Sequence, residues 1–115
     1  MRYFLISTFG LLLSTISVQA QSTKIHFDRD IKPILSDRCF HCHGPDQEHR
    51  EADLRLDIKE AAFADRDGSF ALAPGSLEKS AIWERISSHD EFVKMPPPES
   101  NKKLTTKEIN LFKRW

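Results

Sequence analysis

Two thiols and an imidazole fall within five consecutive positions, Cys39-Phe40-His41-Cys42-His43, and this constrains the chain more than any other feature. These are its only cysteines. C-x-x-C-H is the attachment signature for c-type haem. The spacing has a physical reason. Thiols three positions apart lie about one helical turn from each other, where they can form thioethers with the two vinyl groups of the porphyrin. The next residue, His43, then sets an imidazole below the iron as proximal ligand. Any fold built on this segment must close around a large, flat, apolar group.

Three other chemistries compete for the same residues. A disulfide between Cys39 and Cys42 suits an oxidising compartment but leaves His43 without a role. A thioredoxin-like pair places its first thiol at a helix N-terminus, where the dipole lowers the thiol pKa. Here the expected helix precedes Cys39, Gly44-Pro45 stops one from following His43, and no βαβ pattern surrounds the motif. A structural zinc site needs four ligands at fixed spacing. His49 lies too close to Cys42 for the ~12–15-residue loop of a zinc finger, and there is no second C-x-x-C. The residues therefore point to one covalent haem c. A zinc or disulfide module is the non-haem alternative.

The N-terminus bears on compartment. Arg2 is the only charge before Lys24, Tyr3 to Val18 is mostly apolar with Leu11, Leu12 and Leu13 at its centre, and Val18-Gln19-Ala20 follows. This is the form of a secretory signal peptide spanning residues 1–20, with cleavage after Ala20. An uncleaved anchor is the alternative. A buried helix fits less well, because Ser7, Thr8, Ser14, Thr15 and Ser17 are scattered around every face. Export to the periplasm or beyond agrees with the haem reading, since haem is attached to such proteins outside the cytoplasmic membrane. Removal of twenty of the 115 residues leaves 95, with 16 bases against 17 acids. That is one small domain, 21–115, with little stability to spare. Near-zero net charge supplies no field for nucleic acid. No membrane span is expected after cleavage, because no run nears the ~20 apolar residues required.

Helical signals dominate the remainder, and four are read. The first runs from about Asp30 to Arg38, with Ile31, Ile34 and Leu35 on one stripe and Pro33 in its first turn. The second starts at Asp57, with Glu60 completing a capping box, and ends before Asp67-Gly68. The third covers roughly Leu77 to Ser87, with Leu77, Ala81, Ile82 and Ile86 on its apolar face. The fourth starts at Thr105, with Glu108 three residues on, and is still running at Trp115. From that ending the chain is expected to continue in a longer protein. Alternation is confined to Ala52-Asp53-Leu54-Arg55-Leu56, so strand content should be low. The fold class is mostly α.

A distal ligand should come from far along the chain. Met95 is the sole methionine after Ala20. It precedes Pro96-Pro97-Pro98, which should hold it extended at the start of a stiff polyproline-like path. His89 is the second candidate, and would give two imidazoles and a lower potential. His26, His41 and His49 are read as solvated. Leu54, Leu56, Phe63, Ile82, Trp83 and Ile86 could line a porphyrin, though core packing alone would also account for them. Arg55 or Trp83 could reach a propionate. Lys102, Lys103, Lys107 and Lys113 form a basic cluster, read as a solvated face or a dock for an acidic partner.

The stretch from Phe27 through Cys39, Cys42, His43 and Asp46 resembles the start of the planctomycete-type cytochrome c domain. So do Ala52-Asp53-Leu54-Arg55-Leu56-Asp57, Pro74-Gly75-Ser76, Met95-Pro96-Pro97 and the closing Leu104-Thr105 to Trp115. The resemblance implies a cytochrome c-like helical fold in which the first and last helices cross beside the haem. It implies Cys39 and Cys42 as thioether residues and His43 and Met95 as axial ligands of the haem iron. It also implies an N-terminal domain of a larger exported protein, in a family whose pattern runs a few residues past the final tryptophan. The expected function is single-electron transfer to a redox partner protein or to a downstream domain. No nucleophile–base pair argues for an enzyme. A haem-based sensor of small ligands is the alternative role.

Overall fold

The computed structural model describes residues 24–115, so the expected signal peptide lies outside the described residues. The first helical segment begins earlier than its periodicity indicates. Phe27–Ile31 forms one π turn that runs directly into α1, Lys32–Arg38. The carboxylate of Asp30 sets this entry. It accepts the Arg29 guanidinium at 2.7 Å and the His26 backbone N–H at 2.8 Å. The Arg29 bond first, then the His26 bond, hold the Asp30 pKa down at about 2. A depressed carboxylate of this kind favours the fold above its ordinary pKa, and that contribution fades as pH falls towards 2. Pro33 sits in the first turn of α1 as expected, where its missing N–H has no intrahelical partner to lose. The stripe faces inward: Ile31 and Leu35 are fully buried, and Ile34 nearly so.

The chain from Gly44 to Ile58 is irregular. The expected alternation over Ala52 to Leu56 makes no strand, because Ala52 and Asp53 both adopt left-handed backbone, φ 55° and 47°. Arg66 secures this bend by donating to the Ala52 and Asp53 carbonyls, at 2.5 and 3.3 Å. The second helix shrinks to a single turn, α2, Lys59–Ala62. Its expected capping box at Asp57 is absent. Asp57 instead accepts from Nη2 and Nε of Arg55, at 2.5 and 3.1 Å. A bidentate charge-assisted pair outcompetes one bond to a helix N–H.

Asp67-Gly68 does more than end that helix. It is the turn of a small hairpin between β1, Asp65–Arg66, and β2, Ser69–Phe70. Both turn residues have positive φ, 59° and 84°, as a type I′ turn demands. The third helix, α3, Ala81–Ser87, starts later than the apolar pattern indicates. The buried hydroxyl of Ser80 intervenes: it accepts the Ala73 N–H at 2.9 Å and donates to the Ser76 carbonyl at 2.7 Å. Residues 77–80 are thereby held as a turn, and Leu77 is left on the surface.

The last helix, α4, Thr106–Arg114, forms as expected. Thr105 Oγ1 accepts the Glu108 N–H at 3.2 Å, and Glu108 Oε2 accepts the Thr105 N–H at 2.7 Å. Phe112 is buried, and α4 packs on α3 and on the Phe27–Ile31 turn. Phe27 and Trp115 meet at 5.5 Å between ring centroids, and Arg38 lies 3.6 Å from Glu108. The first and last helical segments are thus in contact. One core joins α1, Leu56, Ala62, Ala71, Leu72, Ile86 and Phe112. Among the described residues the architecture is four short helices and one two-stranded ribbon.

Thr105→Ala removes one half of the capping box and should lower unfolding free energy by about 1 kcal/mol. Leu35→Ala empties a fully buried position and should cost about 2–5 kcal/mol. Urea denaturation of the two variants beside the parent checks both the order and the size.

Candidate haem site

Helical hydrogen bonding continues past the end of α1 and carries the motif with it. The Cys39 N–H donates to the Leu35 carbonyl at 2.8 Å, and the Cys42 and His43 N–H groups donate to the Cys39 carbonyl at 3.2 and 2.8 Å. Cys39 to His43 therefore wraps one further turn, and both free thiols sit on it, each half-buried. Burial above all, and Cys42 next, push the Cys39 thiol up to about 11. A nucleophilic redox thiol is activated by the opposite shift. No group of three or more His, Cys, Asp or Glu side chains suited to a metal ion occurs among the described residues. The zinc alternative therefore gains no support from the arrangement.

His43 is oriented from two sides. Its backbone carbonyl accepts the Leu56 N–H at 2.8 Å, and the neighbouring Cys42 carbonyl accepts the Glu51 N–H at 2.7 Å. Its Nδ1 lies 3.2 Å from the Glu51 carbonyl oxygen. A ring donating Nδ1–H to that oxygen keeps the Nε2 lone pair open. This is the outer partner that ligating histidines commonly have. Burial lowers the His43 pKa and favours the neutral ring that a metal requires. Two thiols on one turn, followed by an imidazole with one nitrogen engaged and one open, fit a covalently held haem.

Several further contacts hold this geometry. Gly44 is buried against the preceding turn, and a Cβ there would overlap the Phe40 carbonyl oxygen. Arg50 donates to the Gly44 and Pro45 carbonyls, each at 3.1 Å, and fastens the exit from the motif. The Glu51 partner of His43 is a backbone carbonyl, which any residue type would supply. Helical periodicity detects none of these, because each bond crosses an irregular loop.

Met95 belongs to a loop suspended from α3. Its N–H donates to the Arg85 carbonyl at 3.1 Å, and the Arg85 guanidinium donates to the Val93 carbonyl at 3.3 Å. The charge of Arg85 also reaches His43, where it contributes to the lowered pKa after burial. Met95 is half-buried, Pro96 is buried and the peptide between them is cis. The expected polyproline path does not form: only Pro97 is shown extended, at φ −69° and ψ 149°, between the cis Met95–Pro96 peptide and the 3₁₀ segment Pro98–Ser100. His89 is exposed beyond the end of α3.

Of the expected porphyrin-lining residues, Leu56 and Ile86 are buried, while Leu54, Phe63, Ile82 and Trp83 are half-buried around the core. A cavity of about 470 Å³ is lined by Phe63, Ile82, Trp83, Ile86, Phe112 and Trp115 among others. Neither thiol, nor His43, nor Met95 borders it. It belongs to the face between α3 and α4, so the site is located by the motif and not by this cavity. Arg55 is occupied by Asp57, as described. Lys102 Nζ donates to the Asp37 carbonyl at 2.6 Å, so the basic cluster is not four freely solvated charges.

Gly44→Ala should destabilise the chain by about 1–3 kcal/mol, as overpacking against rigid backbone does. A thermal melt checks the stability. The yield of covalent pigment, judged against an exposed Asn110→Ala control on α4, checks whether the turn is what suffers.

The family model for planctomycete cytochrome C matches residues 39–99. The matched segment spans more than half of the chain and takes in the cysteine motif, Arg85 and Met95. Comparison with curated proteins and with solved structures gave no match. The thiols, the oriented imidazole and the methionine loop all fall inside the matched segment, and the chain belongs to the planctomycete cytochrome C family.

Proposed function

We propose that this chain is an exported one-electron carrier holding a single haem c. Cys39 and Cys42 supply the thioether bonds, His43 the proximal bond and Met95 the distal one. The observation that supports this most is His43 itself: its Nδ1 is directed at the Glu51 carbonyl, on the same helical turn as two free thiols. Family membership supports a haem-binding electron-transfer role at the coarser level.

Bound there, haem supplies the Fe(III)/Fe(II) couple, in which one electron enters and one leaves. The chain does the rest. The Glu51 carbonyl fixes the imidazole tautomer and raises its basicity. The Met95 thioether is a soft, neutral donor that favours the reduced state over what a second imidazole would give. The apolar side chains of the core keep water out, which further disfavours the more highly charged state. The Arg85 cation acts in the same direction. The electron partner is a redox protein or a later domain of the same polypeptide, and export precedes haem attachment.

Met95→Ala should leave the haem covalently bound. It should abolish the methionine–iron charge-transfer band at the red edge of the ferric spectrum, lower the midpoint potential and let the ferrous form take up carbon monoxide. An unchanged spectrum transfers the distal role to His89 or another group. Cys39→Ser should weaken covalent attachment, so that acid–solvent extraction removes pigment that stays with the parent protein. Colourless parent protein from cells with a haem-attachment system would overturn the reading altogether.

A further inference from the structure

His41 has no part in the haem reading, although it lies inside the attachment turn. Its ring stands 4.9 Å from that of His49, centroid to centroid, with 32° between the planes. Both side chains are exposed. Asp46 joins them: its Oδ2 lies 2.7 Å from His49 Nδ1, and its Oδ1 accepts the Glu48 N–H at 3.0 Å. The carboxylate is therefore fixed by backbone before it meets the imidazole.

We propose that His41 and His49, with Asp46 behind His49, form a surface site for an exchangeable divalent transition-metal ion, copper(II) above all. The ring spacing carries the argument. An imidazole nitrogen binds such an ion at about 2.0–2.1 Å, which puts each ring centroid about 3.2 Å from it. Two imidazoles on one ion then have centroids about 4.5 Å apart at a right angle and about 5.2 Å apart at a tetrahedral angle. The observed 4.9 Å lies between these limits. Both rings are exposed, so no core packing holds them against turning towards one ion.

Asp46 adds an independent reason. A carboxylate on Nδ1 orients a ligating imidazole, raises its basicity and leaves Nε2 for the metal. The negative charge also offsets that of the cation. Two protein ligands leave the other positions to water, so the site suits an ion that comes and goes and not a structural zinc. Imidazole ligands and the general affinity order put copper(II) ahead of nickel(II) and zinc(II).

The test is a calorimetric titration of the full chain with Cu²⁺ at pH 7.5. Both thiols are occupied by haem or, if no haem is attached, carbamidomethylated. One ion per chain is expected, and the copper EPR spectrum should show coupling to two nitrogens. His41→Gln and His49→Gln should each weaken binding at least tenfold, Asp46→Asn about tenfold, and His26→Gln not at all. Undiminished affinity in either His41→Gln or His49→Gln, or a spectrum without two coupled nitrogens, overturns the site. Because the thiols are blocked in either case, failure here is separate from failure of the haem reading.

Discussion

One helical turn beyond α1 governs the rest of the molecule. The hydrogen bonds from the Cys42 and His43 amides to the Cys39 carbonyl bring two sulfurs and an imidazole onto the same coil of backbone. Local hydrogen bonding alone would leave the His43 ring free to rotate. The Glu51 carbonyl removes that freedom, and the Leu56 and Glu51 amides return to the same turn from the far side of the loop. The long irregular stretch from Gly44 to Ile58 is therefore a bracket that returns to the motif through the backbone of Glu51 and Leu56.

That bracket is held by arginines. Arg50 grips the chain as it leaves the motif, and Arg66 reaches back from the hairpin to the bend at Ala52 and Asp53. Their planar forks satisfy carbonyls that no helix or sheet reaches, which a small domain with few strands must do somehow. The cost is visible at Asp57, which is drawn into a pair with Arg55 and so is lost as a helix cap.

What the sequence made legible follows the range of the interaction. Thr105 and Glu108 specify each other across three residues, and α4 forms where they place it. Ile31, Ile34 and Leu35 share a stripe, and α1 buries it. The cysteine motif is readable because its chemistry requires neighbours in sequence. The helix starts near Asp57 and Leu77 were misplaced because tertiary partners won. Arg55 took Asp57, and the buried Ser80 hydroxyl held residues 77–80 as a turn. Asp67-Gly68 was visible as a breaker, yet its hairpin needs Phe70 to lie opposite Asp65, which no local pattern states. The Glu51 carbonyl was illegible in principle, since a backbone acceptor leaves no trace in residue identity.

Arg85 ties the methionine loop to α3 through its own backbone carbonyl as well as its side chain, and it sits in the final turn of that helix. Helix ends are the first places where a small protein frays, and such openings are cooperative over contiguous segments. Release of the loop and unwinding of the helix terminus are consequently one opening event. The Met95 amide proton, which is bonded to the Arg85 carbonyl, should exchange with solvent at the same pace as those closing α3, and slower than one in a free loop of that length.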